Sequence, residues 1–114
     1  MYKSSIELIK HIKRESDFIL KSTNSKTFNE FYSDEILKRA VIRALEIIGE
    51  ASKNLSAKIK KENNNISWRN IIGMRDKVIH NYFGINLEII WAVIKNDLPD
   101  LKVKVEKILK GIDF

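Results

Sequence analysis

Two apolar stripes govern what this chain can fold into. Ile6, Ile9, Ile12, Ser16 and Ile19 recur at steps of three and four residues, and Leu37, Val41, Ala44, Ile48, Ala51 and Leu55 do so again. Only an α-helix returns residues at that interval to one face. The spacing predicts a first helix over 3–21, broken by Ser22–Ser25, whose side chains bond their own backbone. It predicts a second helix capped by Ser33, with Asp34 and Glu35 in its first turn, where the helix dipole favours anions. Ala40, Leu45 and Ile47 widen the second stripe, which suits a helix at the centre of a bundle. Gly49 within it costs about 1 kcal/mol relative to alanine. Either a neighbouring backbone approaches closely there or the glycine is neutral.

Between these helices Thr27 and Glu30 have capping-box spacing, the start of a short helical turn. The polar run Lys58–Asn65 reads as a helix end and loop. Ser67 caps a helix from Trp68 through Ile71, Ile72, Arg75 and Ile79 to His80, and Asn81–Gly84 ends it, with Gly84 as the left-handed residue. Asn86 caps a helix carrying Leu87, Ile90, Trp91 and Ile94, which Asp97–Pro99 interrupts. Pro99 fits the first turn of a last helix carrying Leu101, Val105, Ile108 and Leu109, because its missing N–H would have no partner there. The expected fold is all-α, an antiparallel bundle of about five helices with short connections, in one domain over 1–114.

Composition narrows the function classes. One proline and four glycines in 114 residues, against an average near 12% for the two together, argue against an all-β sandwich or barrel. With no cysteine, a disulfide framework, a thiolate zinc site and a cysteine nucleophile are excluded. At 44% hydrophobic residues, nineteen of them isoleucine, the chain is neither collagen-like nor disordered. Its 21 Lys+Arg against 15 Asp+Glu give a net charge of +6, which fits a polyanionic partner or simply a solvated lysine-rich surface. The first residues lack an unbroken apolar stretch, so no signal peptide is expected. No run nears the roughly 20 apolar residues of a membrane span, so the expected place is the cytoplasm, away from membranes.

The chain has two histidines. His11 lies beside the first stripe, between Lys10 and Lys13, and reads as a boundary residue. His80 sits at a helix end inside the octet Arg75-Asp76-Lys77-Val78-Ile79-His80-Asn81-Tyr82, which holds one of only five arginines. Arg75 and Tyr82 return to one face if the helix persists, whereas Arg75 and His80 sit about 140° apart around it. The latter pair converges only if the helix unwinds near Asn81–Gly84 or a second copy faces it across a dimer. Arginine binds phosphate oxygens with a planar fork, and histidine exchanges protons near neutrality. Together they suit an RNA phosphodiester, where the 2′-OH is an internal nucleophile and no metal is strictly needed. The same residues also suit a salt-bridged structural cluster. Metal binding is disfavoured, since Asp76 and His80 offer only two ligands from one helix.

Arg75, the polar Asp76, the four-residue gap to His80, and Asn81-Tyr82 match the R-x4-H-x-Y motif of HEPN-domain toxins. Ile47-Ile48-Gly49-Glu50-Ala51, Trp68 to Asp76, Tyr82-Phe83-Gly84-Ile85 and Leu87 to Pro99 also resemble the HepT-like branch, so the similarity covers nearly the whole chain. That resemblance implies a homodimeric, metal-independent endoribonuclease of a toxin–antitoxin module, without a cofactor. Its implied partner is an MNT-type nucleotidyltransferase antitoxin encoded beside it. It further implies Arg75 and His80 as the catalytic pair, Asp76 as the polar residue supporting the cleft, and Tyr82 as the adenylylation position. Lys77 and Asn81 are candidate RNA contacts, and single-stranded tRNA loops are a plausible substrate. The alternatives are a non-catalytic helical module that grips nucleotide or RNA, a substrate-binding partner of a nucleotidyltransferase, or a plain structural dimer.

Overall fold

A computed structural model describes the backbone of residues 2–112 except 81–85, and the side-chain surroundings of 5–74 and 86–111. Within it run α1 (Tyr2–Thr23), α2 (Phe28–Ser33), α3 (Glu35–Asn54), α4 (Ala57–Glu62), α5 (Trp68–His80), α6 (Leu87–Ala92) and α7 (Leu98–Ile112). A π-helical turn over Val93–Asp97 joins the last two into one rod. The described residues contain no strand, so the fold is all-α as expected. Four long pieces (α1, α3, α5 and the α6–α7 rod) carry it, with α2 and α4 as short connectors.

The two stripes become the core. Ile9, Ile12, Ser16 and Ile19 of α1 are buried, as are Leu37, Val41, Ala44, Ile48 and Ala51 of α3. α3 packs along both α1 and α5, and α1 packs also on α7, which puts α3 at the centre. Each fully buried isoleucine or leucine contributes about 1.5–3 kcal/mol relative to exposure. Gly49 is buried on this central helix.

The caps follow local chemistry. Thr27 and Glu30 form the expected reciprocal pair: Glu30 N–H donates to Thr27 Oγ1 at 3.1 Å, and Thr27 N–H donates to Glu30 Oε1 at 2.9 Å. Those bonds hold the exposed Glu30 carboxyl below its usual range, the Thr27 N–H contributing most. The cap of α3 is Asp34, not Ser33. Its Oδ1 accepts from Leu37 N–H at 3.0 Å, while Ser33 is the last residue of α2. Both residue types cap well, and the extent of α2 decides between them. Asn86 Oδ1 accepts from Glu88 and Ile89 N–H, the cap expected for α6.

Two further expectations are corrected. The run Lys58–Asn65, read as a helix end and loop, instead holds most of a separate short helix: Ser56 Oγ accepts from Ile59 N–H at 3.2 Å and starts α4, which lasts to Glu62. The stretch Asp97–Pro99 does not break the last helix. Instead the backbone widens, and Leu98 N–H donates to the carbonyl of Val93, five residues back. Pro99 falls in the first turn of α7, where it was expected.

Asp17 ties α1 to α7. Lys13 Nζ donates to Asp17 Oδ2 at 2.7 Å, and Lys102 Nζ lies 3.3 Å from Oδ1. Burial pushes the Asp17 carboxyl up, but Lys13 and then Lys102 outweigh it, so it titrates below the usual aspartate range. The hydrogen bond from Lys13 to Asp17 correspondingly raises the Lys13 ammonium. A carboxyl depressed by folding contributes stability above its unfolded pKa and loses it as pH falls through the folded value. About a third of each Asp17 and Lys102 side chain is exposed, so the screened contribution is about 1 kcal/mol or less. Asp17→Asn is therefore expected to melt below the wild type at pH 7, with the gap closing as pH drops below about 4. A gap of constant size from pH 7 to pH 3, followed by circular dichroism, would contradict the ion-pair account.

Candidate active site

The candidate catalytic residues ride on α5, so the anchoring of that helix comes first. Asn63 organises its approach: its Nδ2 donates to Ile59 O at 2.9 Å, while its own carbonyl accepts from Ile66 N–H and from the Trp68 indole at 3.1 Å. Trp68 is buried, with its ring N–H satisfied as a buried indole requires. The Ser67 carbonyl accepts from Asn70 and Ile71 N–H, closing the first turn. Ile71 and Met74 are half-buried against the core. The rest of α5 is thereby held on α3.

Arg75, Asp76, Lys77 and His80 occupy the last two turns of this helix. The backbone remains helical through His80, so Arg75 and His80 lie about 140° apart around one axis, and the stretch Asn81–Gly84, where unwinding would let them converge, lies outside the described residues. The surroundings of these four side chains, and Asn81, Tyr82 and Gly84 altogether, lie outside the described residues. His11 is half-buried and lines a cleft of about 280 Å³ between α1 and α3 together with Arg43, Glu46 and Glu50. It is thus a boundary residue, as its sequence position suggests. Among the described residues no group of three His, Asp or Glu side chains could hold a metal ion.

A second concavity borders the same helix. A groove of about 1060 Å³ runs between the first half of α5 and the α6–α7 rod. Its deeper wall includes Ile72, Met74, Val93 and Leu98, and its rim includes the exposed Arg69, Asn70 and Asn96. Sequence reasoning missed these rim residues. The available signal was Arg69-Asn70, one to two turns before Arg75, but Asn96 comes from a part of the chain that nothing local connects to them.

The sequence profile of the ribonuclease HepT-like family matches residues 5–108, which include α5 and the whole groove. A protein of Thermococcus cleftensis named "Probable ribonuclease HepT" is 42% identical over 110 residues, covering 96% of this chain and 100% of its own. A protein of Caldanaerobacter subterraneus subsp. tengcongensis, provisionally named an RNase, is 42% identical over 102 residues, covering 90% of this chain and 91% of its own. One from Methanocaldococcus jannaschii, also provisionally named an RNase, is 44% identical over 95 residues, covering 83% and 78%. No solved structure matches the chain. No helix among the described residues is long and apolar enough to cross a membrane. An all-α bundle with the Arg75–His80 motif on a core-anchored helix, matched by the family profile over nearly its whole length, belongs to the HepT-like ribonuclease family and is an enzyme of that class.

Proposed function

We propose that this ribonuclease is the toxin of a toxin–antitoxin module and cleaves RNA without a metal. The observation that carries the reading is the placement of Arg75 and His80 on one continuous helix inside the matched family region. In the proposed reaction the 2′-OH attacks the adjacent phosphorus. Its proton passes to a base, the P–O5′ bond breaks, and O5′ takes up a proton. The products are a 2′,3′-cyclic phosphate and a 5′-hydroxyl. His80 serves as base or acid, the roles an imidazole fills because it exchanges protons near neutrality. Arg75 spreads its fork over the charge-bearing phosphoryl oxygens. Asp76 orients one of these groups or bonds the RNA, and Lys77 and Asn81 add RNA contacts.

Because Arg75 and His80 diverge around α5, two copies facing each other supply the simplest convergence. The active form is therefore a two-fold homodimer with an isologous cleft. The partner that silences it is an MNT-type nucleotidyltransferase. Adenylylation of Tyr82 would add an anion that competes with the substrate phosphate for Arg75.

The deciding experiment incubates purified protein with total tRNA in EDTA and maps product ends. Cleavage in chelator with cyclic-phosphate ends is expected. Cleavage that vanishes in EDTA and returns with magnesium would overturn the mechanism. Light scattering under the same conditions should give a dimer, and a fully active monomer would remove the shared cleft.

A further inference from the structure

We infer that the groove between α5 and the α6–α7 rod binds an unpaired nucleotide of the RNA substrate, next to the one whose phosphate is cleaved. The inference rests on the ribonuclease reading and adds a binding site to it. The groove's volume, about 1060 Å³, is at the upper end of ordinary small-ligand pockets. Its position is set by α5: Arg69 on the rim and Arg75 of the motif are six residues apart, about 9 Å along the helix axis. The two are also about 120° apart around the axis, so a strand whose phosphate lies at Arg75 brings its neighbouring nucleotide to the groove by curving around α5.

The lining matches a base more closely than it matches a second protein. Ile72, Met74 and Val93 offer an apolar wall for a ring face. Around them stand Asn70 and Asn96, exposed amides whose side chains bond no other described residue. An apolar helix laid over them would strip water from both amides without replacing those hydrogen bonds. A base edge brings donors and acceptors to them instead, as in single-strand RNA recognition. Arg69, likewise without a described partner, supplies the cation for the adjoining phosphate. The two rim acids do not reverse this charge match. Asp100 is neutralised by Lys104 at 2.8 Å, and Asp97 is an acceptor for an exocyclic amino group.

The test measures binding apart from cleavage. In a His80→Ala background, fluorescence anisotropy follows a labelled single-stranded RNA and a duplex of the same composition. The double change Asn70→Leu with Asn96→Leu is expected to weaken single-strand binding by about tenfold and to flatten preferences among oligo-A, oligo-C and oligo-U. Arg69→Gln should lower the slope of log affinity against log salt by about 1. Melting temperature and mass should stay at wild-type values. Unchanged RNA affinity in these variants, while the parent protein still cleaves tRNA, would overturn the groove assignment and leave the ribonuclease reading standing. A parent that neither cleaves nor binds RNA would overturn both. A change in mass by light scattering would instead make the groove an interface between copies, which also overturns the proposal.

Discussion

His80→Ala is expected to lower RNA cleavage by about 10²- to 10⁴-fold, the range a positioned acid–base group supplies. Arg75→Lys should be impaired by a comparable factor although the charge is kept. A point ammonium cannot reproduce two parallel N–H donors spread over a phosphoryl group. Both changes fall in the last two turns of α5, beyond the Trp68 anchor and beyond Ile71 and Met74, which pack on the core. Helix content and melting temperature should therefore remain close to wild type. Cleavage is measured with purified protein on total tRNA, and growth is followed on expression at matched protein levels. Growth arrest by either variant at wild-type levels would remove that residue from the mechanism. An inactive variant that has also lost several degrees of melting temperature would point to the structural-cluster alternative.

Phe31→Ala should cause the largest loss of stability of any single truncation outside the long helices. Phe31 is fully buried although α2 has only six residues, and its ring stacks on Trp91 at 5.2 Å between centroids. Phe28 meets the same indole edge-on at 6.2 Å, so the pair fastens α2 to α6. Truncating a buried phenylalanine costs about 3–5 kcal/mol once the cavity is included. For a domain of this size each kcal/mol lowers the melting temperature by about 4 °C, so calorimetry should show a drop of about 12–20 °C. Phe31→Leu should recover part of it. A drop under 3 °C for the alanine variant would mean that α2 is not fastened to the core in solution.

How much of this was legible beforehand depended on whether the signal was local. The α1 and α3 stripes were readable because helix period and burial coincide from Ile9 to Ile19 and from Leu37 to Leu55, down to the small Ser16 and Ala44. The Thr27–Glu30 box and the Asn86 cap were readable for the same reason. α4 was not, because Ile59 is the only large apolar residue in its six. A cap at Ser56 and a bond from Lys60 Nζ to the Lys53 carbonyl hold it, and neither has a periodic signature. Asp97–Pro99 reads locally as an interruption, yet Ile90, Ile94, Leu98, Leu101 and Val105 stay buried on both sides of the π-helical turn. The motif showed itself through spacing alone. The groove joins Asn70 to Asn96 across 26 positions, a juxtaposition that only packing creates.

Asp34 has a consequence for how this chain can change length. It ends α2, where its N–H donates to Phe31 O, and it begins α3 with its side chain. No spacer separates the two helices. A six-residue helix cannot persist by itself in water, so α2 borrows its order from α3 through one shared residue and from its aromatic grip on Trp91. An added residue at this junction would rotate Phe31 out of its socket by about 100°. The turn at Asn24 and Ser25 is the opposite case. Both residues are exposed, and Ser25 already accepts a φ of 64°, a conformation glycine would take without strain. Insertions and deletions that lineages accumulate should therefore gather at 24–25 and be absent at 34, whatever RNA each descendant cuts.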